Sequence, residues 1–127
     1  RKAQPLSDMF ALDAVKRIFR SLRRAFDDGT DEKACRDMSL AALEAGISFN
    51  NSSVTIVHGM SRPIGALFHV PHGLSNAMLL PRCLTFALPG AVERFAHLAE
   101  ILGLRQAGMS DTAAGRLSRR WPACAAI

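Results

Sequence analysis

The stretch VTIVHGMSRPIGALFHVPHG, residues 54–73, decides how this sequence is interpreted. Its first four residues are all β-branched, as in a strand. Pro63 and Pro71, however, constrain where helices begin and end, and Pro81 is expected to kink or split the helix that follows. The pattern predicts three elements: a helix over about 53–68, a tight loop over 69–71, and a helix from 72 or 73 to 86.

Helical spacing of apolar residues continues on both sides of this stretch. Upstream, Ser7 is predicted to cap a helix that ends near residue 26. Thr30 is predicted to cap a second helix over 31–50. The second half of that helix, residues 38–49, is apolar on nearly all sides and is expected to enter a core. Two further helices are predicted downstream, over 91–102 and 110–117.

The composition agrees with an all-α helical bundle. The chain has 127 residues, of which 49% are hydrophobic and 21% charged, and it contains no Tyr and 6% aromatic residues. These values exclude intrinsic disorder and low-complexity repeats and argue against an all-β fold. Because the sequence starts at Arg1 rather than Met, we expect it to be part of a larger protein.

The charge of the chain indicates which partners to expect, and its cysteines indicate the cellular compartment. The net charge is +5 and the pI is about 9.9. The basic cluster is interpreted as a solvated helix face without interleaved aromatics, so nucleic acid is not expected as a partner; its members are Lys16, Arg17, Arg20, Arg23 and Arg24. Widely spaced cysteines favour a reducing, cytoplasmic location; they are Cys35, Cys83 and Cys124. No apolar run reaches ~18 residues, so no membrane span is expected.

Three histidines fall within 15 residues of one another and could form a metal site. His58 and His72 flank the predicted helix–loop–helix, a topology that can bring two imidazoles to a common point. Imidazole is the commonest metal ligand, and His69 could be a third one. The alternative is that these are hydrogen-bonded core histidines. His97 is interpreted as structural or as lying at a helix border.

At residues 58–81, HGMSRPIGALFHVPHGLSNAMLLP, the chain resembles the iron-containing (group III) alcohol dehydrogenases. The family motif has the form H-x13-H and ends in PHG-xx-NA-xLLP. Similarity extends upstream to PLSD at 5–8 and MSLAALEAGISFNNSS at 38–53, and downstream to about Leu104. The tail over 115–127 does not resemble the family.

The resemblance implies a two-domain parent, with an N-terminal α/β domain that binds NAD(P) and a helical C-terminal domain that holds Fe(II) or Zn(II). One Asp and three His bind the metal, and two of those His match His58 and His72. The other two ligands and the nucleotide-binding domain would lie upstream, so residues 1–127 are expected to be a partial metal-binding domain. The full-length parent is expected to be a homo-oligomer.

Three further residues are assigned to the cofactor or substrate pocket through the same resemblance. Arg62 stands where many members have a His near the nicotinamide. A permanent cation there could bind a carboxylate substrate or the cofactor, rather than relay protons. Phe49 matches a position that lines the substrate side, and His69 could line the pocket.

The resemblance therefore implies a metal-dependent, NAD(P)-linked oxidoreductase. It would interconvert alcohols, or hydroxy acids, with aldehydes or ketones, and the chain by itself would be inactive. One alternative is a non-catalytic helical interaction module that uses apolar helix faces or the basic face of the first helix. Another is a small zinc-binding protein that uses His58, His69 and His72.

Overall fold

A computed structural model describes residues 3–118 of the chain. Within that range all regular structure is helical, which confirms the all-α prediction. The chain divides into two compact units, Arg1–Ser53 and Val54–Ile127. The end of the divergent tail and Cys124 lie outside the described residues. The elements are α1 (Pro5–Asp27), α2 (Glu32–Ser52), α3 (Ile56–Phe68), α4 (His72–Ala87), a 3-10 turn (Leu88–Gly90), α5 (Val92–Ile101) and α6 (Asp111–Ser118).

The first helix begins two residues earlier than predicted. Pro5 occupies the first helical position, where its fixed φ suits the helix and its missing N–H is no loss. Gln4 is therefore the N-cap, and the prediction for Ser7 is wrong. The Ser7 hydroxyl instead accepts from the Gln4 N–H at 3.1 Å and donates to the Gln4 carbonyl at 2.9 Å.

The cap of the second helix also differs from the prediction by one residue. The Asp31 carboxylate accepts from the Ala34 N–H at 3.0 Å, so Asp31, not Thr30, caps α2. Thr30 donates through both its backbone N–H and its hydroxyl to Asp28 Oδ1. The carboxylate of Asp28 thus holds Thr30 in the turn, and the next residue is left to cap the helix.

In the first unit, α1 and α2 pack as an antiparallel pair through small residues. The Ser48 hydroxyl donates to the Ser7 carbonyl at 2.9 Å, and Ser21 Oγ donates to Asp37 Oδ2 at 2.9 Å. These two bonds fix the register at either end of the pair. Small side chains let two helix backbones approach closely, and here they recur every seven residues. The buried small residues are Ser7, Ala14 and Ser21 on α1, and Ala34, Ala41 and Ser48 on α2.

This close packing overturns the prediction that the second half of α2 enters a core. Ala41 and Ser48 are buried, whereas Leu43 is 61% exposed and Phe49 is 45% exposed. The seven-residue stripe of small residues selects the buried face of the helix. The larger apolar side chains therefore lie on the outer faces of α2 in the described part of the chain.

The basic cluster of α1 is largely paired with carboxylates. Arg17 and Arg20 contact the two oxygens of Asp37 at 3.2 and 2.7 Å, and Arg17 also lies 3.3 Å from Glu44 Oε2. The Ser21 hydroxyl and then Arg20 hold the pKa of Asp37 below its ordinary value. Asp37 therefore joins the two helices as an ionised, fully hydrogen-bonded group.

We expect replacement of Asp37 with Asn to lower the Tm of the chain near neutral pH, because Arg17 and Arg20 lose a shared anion. Since the folded-state pKa of Asp37 is depressed, its stabilisation is present above the ordinary value of 3.8 and is lost as the pH falls through the folded value. Thermal unfolding from neutral pH to about pH 2 should thus show the D37N difference shrinking below about pH 4.

The matched control is D27N, which removes an exposed carboxylate paired with Arg23 at 2.9 Å. Exposed ion pairs contribute little, so this variant should change the Tm less at every pH. A D37N difference in Tm that stayed constant from neutral to acidic pH would contradict the role assigned to the ionised carboxylate of Asp37.

In the second unit, the predicted loop at 69–71 separates α3 from α4. His69 is the C-cap of α3 in the left-handed conformation, with φ 54° and ψ 28°. Pro71 is the N-cap of α4, and its carbonyl accepts from the Ser75 N–H at 3.0 Å. Helix α4 runs through Pro81 without a break, so of the two predicted effects of Pro81, a kink or a split, the split does not occur.

The remaining helices, α5 and α6, pack through alanines. Ala96, Ala99 and Ala114 form a buried cluster, with Leu104 and Met109 packed against it. Gly103 ends the fifth helix at φ 69°, as predicted. Within the described residues no helix is both long and apolar enough to cross a membrane.

Ser53, between α2 and α3, has φ 79° and ψ 167°. This region of backbone space is essentially restricted to glycine, and a side chain there costs of order 1–3 kcal/mol. We expect S53G to raise the free energy of unfolding by about 1 kcal/mol in urea titrations. The matched control S39G, in the exposed middle of α2, should lower it by about 0.5 kcal/mol. Loss of stability in S53G would contradict the assigned strain.

Candidate metal centre

The turn between α3 and α4 brings two histidines together. His58 lies in the first turn of α3, and His72 is the first residue of α4. Their ring centroids are 5.3 Å apart and the ring planes are inclined at 56°. The helix–loop–helix thus brings the two imidazoles close to one another, as the spacing predicted.

The His58 ring is half-buried and has an unsatisfied nitrogen. Its Nδ1 is buried and has no hydrogen-bond partner in the described structure. Burial, then the neighbouring His72 and Arg62, lowers the pKa of His58 below its ordinary value of 6.5. His58 is therefore neutral near physiological pH, with a lone pair available on one ring nitrogen.

The His72 ring is exposed but is held by a side chain one turn further along α4. Asn76 Nδ2 donates to His72 Nε2 at 3.0 Å. The other amide atom, Asn76 Oδ1, is buried and has no partner in the described structure. Asn76 lies within the sequence motif, which predicts no role for it. The signal that could have found it is its position four residues after His72, since residues four apart share a helix face.

The spacing of the two rings fits a shared metal ion. An imidazole nitrogen binds Zn(II) at about 2.0–2.1 Å, which puts each ring centroid about 3.2 Å from the ion. Two such ligands at a tetrahedral angle have centroids about 5 Å apart, close to the observed 5.3 Å. Together with the unpartnered Nδ1 of His58, this spacing fits two ligands of a four-coordinate site.

A third protein ligand is not found among the described residues. There, no group of three or more His, Cys, Asp or Glu side chains could hold a metal ion. His69 is exposed at the end of α3, and its left-handed C-cap conformation belongs to the turn. The alternative of a zinc-binding protein that uses His58, His69 and His72 is therefore wrong for this geometry.

The other residues singled out from the sequence lie in different settings. Arg62 is exposed one helical turn after His58, close enough for its charge to lower the pKa of that histidine. His97 is exposed on α5, in agreement with a place at a helix border. Phe49 belongs to the first compact unit, near the C-terminal end of α2.

Comparison with known proteins identifies the class to which this helical domain belongs. Residues 1–118 match the family described as Fe-containing alcohol dehydrogenase family, C-terminal. The chain belongs to this family, as the resemblance predicted. The match runs to residue 118, so the expectation that similarity ends near residue 104 and excludes residues 115–118 is wrong.

Individual relatives agree with this assignment. The chain is 38% identical over 118 residues to 1,3-propanediol dehydrogenase of Citrobacter freundii, covering 93% of this chain and 30% of that protein. It is 38% identical over 112 residues to NAD-dependent methanol dehydrogenase of Bacillus methanolicus, covering 88% of this chain and 29% of that protein. The crystal structure of a 1,3-propanediol oxidoreductase superposes with a TM-score of 0.90 at 36% identity, over 94% of this chain and 31% of that one. The chain thus spans about three-tenths of the length of the relatives that it matches.

Proposed function

We propose that this chain provides the metal-binding part of the active site of an NAD(P)-linked oxidoreductase that interconverts alcohols with aldehydes or ketones. The observation that carries the proposal is the pair of imidazoles at the α3–α4 turn, with centroids 5.3 Å apart, inside a domain of the alcohol dehydrogenase family. The NAD-dependent relative from Bacillus methanolicus supports the nicotinamide cofactor.

His58 and His72 are the two side chains proposed to hold the metal, Fe(II) or Zn(II). A bound divalent ion supplies Lewis-acid polarisation of the alcohol oxygen. The contribution of His58 is a neutral ring, because burial lowers its pKa and keeps its lone pair free at neutral pH. The turn contributes the spacing, since it holds both rings near one point.

Arg62 is proposed to bind an anionic group of the substrate or the cofactor. It lies one turn from His58 and is exposed. A guanidinium stays charged at all physiological pH values and presents a planar set of donors to a carboxylate or phosphate. This favours a hydroxy or keto acid as substrate. His69 and Phe49 are proposed to line the substrate pocket.

The remaining parts of the reaction are assigned to other residues of a longer protein. The proposed parent contains a separate nucleotide-binding domain upstream, the two further metal ligands, and identical subunits in a cytoplasmic oligomer. Because the described residues bring together two candidate ligands and no third one, the chain alone is expected to bind metal weakly and to lack dehydrogenase activity.

Zinc binding by the chain tests the ligand pair directly. H58A and H72A should each weaken Zn(II) binding at least about tenfold, since each removes one of two ligands. Competition against a chromophoric chelator measures the affinity. The matched control is H97A, because His97 is an exposed histidine of α5. Equal zinc affinity in all four proteins would remove the basis for this metal centre.

A chimaera tests the proposed activity. Residues 1–118 replace the matching segment of the Citrobacter freundii 1,3-propanediol dehydrogenase, to which they are 38% identical. The chimaera should oxidise a small alcohol with NAD, and H72A within it should reduce kcat/KM by at least about a hundredfold. H97A in the same chimaera should leave the rate unchanged. A folded, metal-loaded chimaera that reduced no aldehyde or keto acid and oxidised no alcohol would refute the proposal.

A further inference from the structure

A buried serine follows each of the two candidate ligands by one helical turn. Ser61 comes three residues after His58 on α3, and Ser75 comes three residues after His72 on α4. Ser61 is 0% exposed and Ser75 is 2% exposed. Since residues three apart share a helix face, each serine lies on the same face of its helix as the histidine that precedes it.

Both serines lie in the contact between α3 and α4. Within the described residues, α3 packs chiefly on α4, and α4 packs on α3 and on the 3-10 turn that follows it. Side chains buried on α3 and in the first turn of α4 therefore face the other helix of the pair. Larger apolar side chains are exposed instead, namely Met60, Leu74 and Met78. Close to its histidines, the pair thus buries small residues.

The hydroxyl groups of the two serines are satisfied inside their own helices. Ser61 Oγ donates to the His58 carbonyl at 3.3 Å, and Ser75 Oγ donates to the His72 carbonyl at 3.0 Å. A buried hydroxyl bonded to the carbonyl three residues back avoids the cost of an unsatisfied polar group. It also needs no partner on the facing helix, so what each serine offers that helix is its small size.

Small side chains at this contact affect the distance between the two imidazoles. The axes of packed helices lie about 8–10 Å apart, and the side chains at the contact decide the value. A shared tetrahedral ion requires ring centroids about 5 Å apart, close to the observed 5.3 Å. Because metal–ligand distances vary by only about 0.2 Å, a larger residue at either position would separate the rings by more than one ion tolerates.

We propose that Ser61 and Ser75 are positioning residues, whose small size lets α3 and α4 approach closely enough for His58 and His72 to bind one metal ion. The inference rests on the proposed function, in which both histidines are ligands. In this role neither serine contacts the ion, and both act through the distance between the helices. The largest effect that either serine can have is therefore the loss of one of the two ligands.

Zinc affinity after enlargement of the two side chains tests the proposal. S61V and S75V should each weaken Zn(II) binding about tenfold in the chelator competition, as removal of one ligand does. S61A and S75A remove the hydroxyl but keep the side chain small, so they should leave the affinity unchanged. Circular dichroism verifies folding. Where a valine variant does not fold, S61T or S75T, which keeps the hydroxyl and adds one methyl group, takes its place.

A double-mutant cycle separates ligand spacing from a general loss of stability. In H58A only one histidine of the pair remains, so the distance between the helices no longer matters and S61V should weaken binding no further. The matched control S48V enlarges a buried serine between α1 and α2, whose hydroxyl donates to the Ser7 carbonyl at 2.9 Å. It should lower the Tm and leave the zinc affinity unchanged.

The contradicting results are distinct for the inference and for the proposed function. Unchanged zinc affinity in folded S61V and S75V, with binding still weakened by H58A and H72A, would overturn the inference and leave the proposed function intact. A loss in S61A and S75A as large as in the valine variants would assign the effect to the hydroxyl and would also overturn it. Zinc binding insensitive to H58A and H72A would instead overturn the proposed function.

Discussion

The reversal of the chain between α3 and α4 is the constraint on which the candidate site depends. His69 leaves the helix in the left-handed conformation and Pro71 starts the next helix, so the turn is completed in three residues. A short turn of this kind obliges the two helices to run back beside each other. The histidines lie 14 positions apart in sequence, yet their ring centroids are only 5.3 Å apart. The two prospective ligands thus owe their proximity to backbone geometry.

In the first unit, close packing of two helices through small side chains, and not a short turn, is the main constraint. Helices α1 and α2 bury serine and alanine rather than large apolar side chains, so close backbone approach replaces the volume of a conventional core. Small side chains also leave little apolar area to stabilise the pair. Hydrogen bonds and ion pairs add to it, because Asp37 binds Ser21, Arg17 and Arg20 across the interface.

The sequence predicted the helices well and their burial poorly. Apolar spacing, prolines and glycines located each helix within about three residues, because these signals act locally. The N-caps predicted at Ser7 and Thr30 are wrong, because a nearby residue is the N-cap of each helix instead. The prediction of the buried face of α2 was wrong, because it relied on the hydrophobicity of the side chains. What selects that face is a seven-residue repeat of small side chains matched by another in α1, a feature of two helices together.

In the candidate site, too, the sequence predicted the features that depend on local signals and missed those that depend on tertiary structure. The motif located His58 and His72, and the turn residues explained why they meet, since both signals lie in one short stretch of chain. The motif includes Asn76 but predicts no role for it, because a contact with a specific ring nitrogen depends on side-chain geometry that residue spacing does not determine. Arg62 could be placed beside His58 by helical periodicity, whereas the setting of Phe49 depends on tertiary structure.

The two units differ in whether their unsatisfied polar atoms are compensated by a neighbouring charge. In the first unit, Glu44 Oε2 lacks a conventional hydrogen bond but lies 3.3 Å from the guanidinium of Arg17, so its charge is compensated within the chain. At the α3–α4 turn, His58 Nδ1 and Asn76 Oδ1 are both buried without such compensation among the described residues. Each uncompensated group costs about 1–3 kcal/mol. A ligand can relieve such a cost, which supports the proposal of a metal site at this turn rather than at the charged helix pair.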